Sequence, residues 1–164
     1  MSVDFDTVMP AANMAGDDPE DARLLHDALS KARAFIGGHE WCARIRAERF
    51  GLGIGGIVSV FLFQIDPARE NVDEFLWVVV GDLPSVYLVT DEARDPAEAL
   101  TQYIGLMRDW VLVVNEGGDL SGVFPVEAAP TQANASALES RLDYLEKDVL
   151  PEWRERCLVP SPLV

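Results

Sequence analysis

The chain is poor in cations and in the residues that usually carry chemistry: it holds two lysines (Lys31 and Lys147), two histidines (His26 and His39) and two cysteines (Cys42 and Cys157). Thirteen basic residues face 28 acidic ones, a formal net charge of -15. Such a surface repels nucleic-acid phosphates and anionic lipid over a Debye length, so neither nucleic acid nor membrane is an expected partner. Long apolar runs are also missing. The longest, "FGLGIGGIVSVFLF" at 50–63, has 14 residues and a serine inside, below the roughly 18 that suggest a membrane span. The opening stretch "MSVDFDTVMPAANMAGDDPE" lacks the basic start and apolar core of a secretory leader. A cytoplasmic chain with two free thiols is the expectation, because the cysteines are far apart and fall in no C-x-x-C pattern.

What is present is an ordinary globular composition, 49% apolar and 25% charged over 164 residues. That length suits one domain burying roughly 70% of its unfolded surface. Residues 1–16 show no periodicity and are expected to form a flexible or loosely docked tail, residues 17–153 the domain, and residues 154–164 a second tail.

In "DDPEDARLLHDALSKARAFIGG", Asp18 can cap a helix that Pro19 opens and Gly37 ends, with Ala22, Leu25, Leu29, Ala32 and Ile36 on one face. "WCARIRAERF" at 41–50 alternates as a half-wetted strand, with Arg44 and Arg46 on the wet side. Residues 54–65 and 73–80 are apolar on both parities and so predict strands covered on both faces. "VYLVT" at 86–90 adds a fourth strand, and connections too short for helical crossovers predict an antiparallel meander. A second helix opens at Asp95-Pro96 with Glu98 completing a capping box, and closes at Gly117. A third places Leu138, Leu142, Leu145 and Val149 on one face, and Pro151 is expected to stop it.

Gly51, Gly53 and Gly56, followed by Val58, spell the glycine loop of a phosphate site. A dinucleotide fingerprint needs a helix next, whose free N–H groups hold the pyrophosphate; "IVSVFLF" reads as a strand instead. A kinase loop needs a lysine on the following strand, but "EFLWVVVGD" has none, and H-R-D and D-F-G are missing. The glycines therefore read as a tight turn, bulge or close approach between strands. "HEWC" at 39–42 begins like H-E-x-x-H, but Ala43 stands where the second histidine belongs. No G-x-S-x-G or G-K-[ST] occurs. Asp82 and Asp119, each after a glycine, read as turn residues rather than as an acid and base pair.

Arg44 and Arg46, about 7 Å apart on one strand face, and Arg49 beyond them are the candidate anion or acidic-partner residues, since guanidinium forks suit carboxylates. Neutralisation of the protein's own acidic surface is the competing account. Phe75, Trp77, Tyr87, Trp110 and Trp153 have core spacing. Trp77 and Asp82 complete the candidate binding residues; no catalytic residue, metal ligand or cofactor is assigned.

The run "FLWVVVGDLPSVYLVTDEARDPAEALTQYIGLMRDWV", residues 75–111, resembles part of an uncharacterised small bacterial protein family, which implies no catalytic residue. In overall form the chain is also similar to secretion chaperones and immunity proteins, by shape and charge alone. The expected fold is α+β: an N-terminal helix, an antiparallel sheet of four or five strands, and two C-terminal helices. The expected function is non-enzymatic binding of a protein partner. The alternative is a small enzyme or binder of small anionic ligands with a pocket near the glycine-rich turn 51–56. Three helices are few for strands this apolar, so a homodimer through a leftover sheet face or the 138–149 helix is also expected.

Overall fold

Five strands, β1 (Met9–Pro10), β2 (Cys42–Ile54), β3 (Val58–Pro67), β4 (Phe75–Gly81) and β5 (Val86–Val89), pair antiparallel in sequence order into one sheet in the computed structural model, which describes residues 3–158. Helix α1 (Pro19–Gly37) covers one face, packing with Phe61, Phe63, Ile65, Leu76, Val78 and Val80. The other face carries α2 (Pro96–Glu116), α3 (Gln132–Tyr144) and α4 (Leu150–Leu158), over Val58, Val60, Leu62, Trp77, Val79 and Leu88. The two parities of β3 and β4 thus feed two separate cores, which is why both are apolar. The fold is α+β, with the sheet between two helical layers.

Both N-caps form at the expected residues, but the capping box is not reciprocal: the Glu98 carboxylate accepts from the Arg94 N–H, one residue before the cap, at 2.9 Å. Asp18 accepts from the Asp21 N–H, Asp95 accepts from the Glu98 N–H, and proline follows each cap. At the end of α2 the N–H groups of Gly117 and Gly118 return to Val114 and Val113, the crossed bonds of a Schellman cap.

Helix α3 does not stop at Pro151. It passes through a π-turn, Leu145–Val149, where the Leu150 N–H reaches back to Leu145, and continues as α4 with Pro151 inside. In a regular helix the proline ring meets the carbonyl four residues earlier; a five-residue turn just ahead of it makes room. Leu138, Leu142, Leu145 and Val149 are all buried within this chain, as are both faces of β3 and β4. The apolar sides of these elements are therefore covered within the chain.

From residue 4 onward the N-terminal segment lies against the domain. Met9 and Pro10 pair with Phe50 and Arg49, the Asp4 N–H donates to the Arg94 carbonyl, and Ala11 and Met14 are only 3% and 6% exposed. α4 likewise carries ordered helix to Leu158, past the boundary expected at 153, and the rest of that expected tail lies outside the described residues.

Strand β2 departs from simple alternation. Its register with β3 shifts between Cys42 and Arg44, between Ile45 and Ala47, and between Phe50 and Leu52. Each shift inserts a residue and turns the following side chains to the other face. Thus Phe50 packs with the α1 layer and Leu52 with the α2 layer.

Candidate functional site

The glycine stretch forms the end of β2 and the hairpin into β3. Gly51 stands at the last register shift, the Ile57 N–H closes on the Ile54 carbonyl at 3.0 Å, and Gly56 has φ +78°, a conformation costly for residues with a Cβ. At Gly53 the backbone touches α1 so closely that a Cβ would lie 2.8 Å from Leu25 Cδ2 and 2.9 Å from Phe50 Cε1. The Gly55 N–H donates to Asp21 Oδ1 at 2.6 Å. A carboxylate from α1 therefore holds the N–H that a phosphate would take, and the segment that follows is strand.

The five candidate binding residues do not converge. Arg44 Nε lies 3.0 Å and Arg46 Nε 3.4 Å from the two oxygens of one carboxylate, Asp66, which β3 brings opposite Arg44. The Arg49 guanidinium lies over the Phe5 ring at 5.1 Å, with its Nη1 buried and without a hydrogen-bond partner. Trp77 is 0% exposed and donates its Nε1–H to the Ala93 carbonyl at 2.9 Å, so it belongs to the core. Asp82 pairs with Arg141 at 3.1 Å. It follows Gly81, the partner of Val58, while Arg44 is opposite Asp66; eight residues of strand separate the two ends by about 26 Å.

Most arginines on this molecule are already engaged. Every charged side chain lies among the described residues. Nine of the eleven arginines sit within 3.7 Å of a carboxylate. Of the other two, Arg49 meets Phe5 and Arg154 donates to the Thr101 hydroxyl. These pairs involve ten of the 28 carboxylates, leaving 18 without a cationic side chain. Most pairs are exposed and contribute little stability individually; their consequence is a surface whose uncompensated charge is negative.

Among the described residues His39, Cys42, Cys157 and Asp119 stand in separate local settings. His39 Nδ1 donates to the Phe35 carbonyl at 2.8 Å, and its ring lies 4.6 Å from Trp41 and 5.2 Å from Tyr87, centroid to centroid. Burial raises the Cys42 thiol above its ordinary range and pushes Cys157 up to about 11, so neither is an activated nucleophile. Asp119 accepts from the N–H and hydroxyl of Ser121, which hold it below the usual carboxylate range as part of its own turn. Among the described residues no three His, Cys, Asp or Glu side chains are grouped to hold a metal ion, and no helix is long and apolar enough to cross a membrane.

Open clefts mark the surface. One, about 520 Å³, runs between α1 and β2, with Leu29 and Ile45 in its lining and a bidentate Arg33–Glu48 pair (2.6 and 2.7 Å) in its wall. A second, about 270 Å³, lies beside the glycine turn between Ile57, Asp82, Arg141 and Tyr144. A third, about 440 Å³, lies at the start of α2 beside Asp95, Glu98, Arg154 and Cys157. The aromatic group of Phe35, His39, Trp41 and Tyr87 was not singled out by sequence, although the four-residue step from Phe35 to His39 across the end of α1 is a readable signal. No protein-family model matches the chain, and neither does any curated protein or solved structure.

Proposed function

We propose that this chain is a non-enzymatic acidic interaction module that holds a positively charged protein partner, in the manner of a chaperone or immunity protein rather than of a catalyst. The observation that carries the proposal is the charge inventory: 18 carboxylates have no cationic neighbour, while nearly every arginine already has a carboxylate. A surface of this kind steers a cationic protein toward it and repels an anionic one. Arg44 and Arg46, which sequence offers to an acidic partner, share Asp66 instead.

A second reading has one observation in its favour, the 270 Å³ cleft that does lie beside the glycine turn and contains Arg141. A small anion bound there would have to replace Asp82 on that guanidinium. Affinity capture from native cell extract at low and at high salt, followed by mass spectrometry for both proteins and small molecules, separates the two. The expected result is retention of basic proteins, released at high salt and unaffected by Arg141→Ala. Recovery of a small anion that Arg141→Ala abolishes, with no retained basic protein, would replace the first reading by the second.

A further inference from the structure

Strand β5 ends the sheet and pairs with β4 alone; among the described residues no hydrogen bond from another element reaches the outer side of Val86–Val89. In an antiparallel pair every second residue turns both its N–H and its C=O away from the partner strand. β5 therefore presents free donors and acceptors in a row. Natural edges are usually blunted with charge, proline or a bulge. The opposite side of the sheet follows that rule, since β2 has three register shifts, Arg44 and Arg46, and the proline-containing β1. β5 is short, four residues reading Val-Tyr-Leu-Val just after Pro84, but within the strand it carries no charge, proline or bulge and is in unbroken register with β4.

Two further features lie at the same edge. On the α1 side, Tyr87 joins Trp41 (5.0 Å), His39 (5.2 Å) and Phe35 (6.2 Å) in a half-exposed aromatic wall, and Val89 beside it is 39% exposed. Charge there is negative. Asp91 and Glu92 follow the strand, and Asp73 and Glu74 precede the point where Leu76 pairs with Val89. None of these four is in an ion pair. The nearby cations are taken: Lys31 donates to the Gly81 carbonyl, and Arg69 faces Glu40.

We infer that the β5 edge takes up an extended, lysine- or arginine-bearing segment of the partner protein as a sixth strand. Main-chain bonds to β5 give the segment its register, alternate side chains lie over the aromatic wall where a cation meets a ring face, and the flanking carboxylates select positive charge. The inference rests on the acidic-module reading and specifies where on the molecule the partner binds.

The test uses the full chain with a fluorescent ten-residue peptide alternating lysine and valine, the same peptide N-methylated at every second residue, and a glutamate–valine control. At 50 mM salt the lysine peptide is expected to bind and the glutamate peptide not to. N-methylation, which removes strand hydrogen bonds at equal charge, should weaken binding at least tenfold. Val89→Lys should do the same, whereas Leu112→Lys, which adds the same charge on a 56% exposed residue of α2, should weaken it less than threefold. Amide exchange at residues 86–89 should slow on binding. Equal binding of methylated and unmethylated peptide, or equal effects of the two lysine variants, would overturn the edge site while leaving the acidic-module reading in place. Failure of the wild-type chain to prefer the lysine peptide would overturn both. A wild-type dimer that Val89→Lys splits into monomers would assign the edge to a second copy instead.

Discussion

One carboxylate, that of Asp21, decides what the glycine stretch is. It accepts from the Gly55 N–H at 2.6 Å through one oxygen and from the Asp17 N–H at 2.9 Å through the other, tying α1 to the β2–β3 turn. An N–H with a charged internal partner is not available to a ligand without breaking a bond of the kind whose loss costs about 1–3 kcal/mol. Cys157 shows burial acting in the same restrictive direction. Its thiol rises from an ordinary 9.0 to about 11, so at neutral pH its thiolate fraction falls roughly 100-fold. Alkylation of Cys157 by iodoacetamide at pH 7.5 should therefore run about two orders of magnitude slower in the folded chain than in urea, read by mass spectrometry. The linked stability follows in sign. The folded form favours the neutral thiol, so this contribution is fully present below pH 9 and is lost as pH rises toward 11. Equal alkylation rates in the folded and unfolded chain would show that the thiol is not shielded.

At the scale of elements, the hairpin glycines are a packing requirement. Gly53→Val would place new atoms against Leu25, Phe50 and Ser59, all within 3.0 Å of the first added carbon. Overpacking of this order costs about 1–3 kcal/mol, and should appear as a lower urea midpoint; an unchanged midpoint would mean that α1 can move away from β2 freely. The same element shows which features a sequence can carry. The starts of α1 and α2 were legible because Asp-Pro caps are local chemistry, and the two-sided burial of β3 and β4 because it is written in both parities. β1 was not legible, since two residues have no period and their partners, Phe50 and Arg49, lie far along the chain. The continuation through Pro151 was hidden because it depends on the π-turn at 145–149, a backbone choice that the leucine spacing does not record. Of the site, Arg44 and Arg46 were correctly found exposed. That both would meet Asp66 depends on a bulged register across strands, which alternation cannot give.

On the scale of the whole molecule, charge and fold oppose each other. The apolar cores on both sides of the sheet are closed within one chain, and the surface around them carries a net charge of -15 with 18 carboxylates lacking a cationic partner. Like charges held on a compact body repel more strongly than on an expanded chain, so the folded state bears most of this cost. Salt shortens the range of repulsion from about 30 Å at 0.01 M to about 8 Å at 0.15 M. It also weakens the exposed ion pairs, but each of those contributes about 0–1 kcal/mol and most are within one Debye length even at high salt. Repulsion is the term that changes more. Raising sodium chloride from 10 to 300 mM should therefore increase stability by about 1 kcal/mol, which for a chain of this size lifts Tm by roughly 2–4 °C. The same increase should weaken a bound cationic partner, so salt moves stability and binding in opposite directions. A Tm that falls with salt would show that the nine paired arginines outweigh the unpaired carboxylates, and would remove the charge argument from which the partner's chemistry is derived.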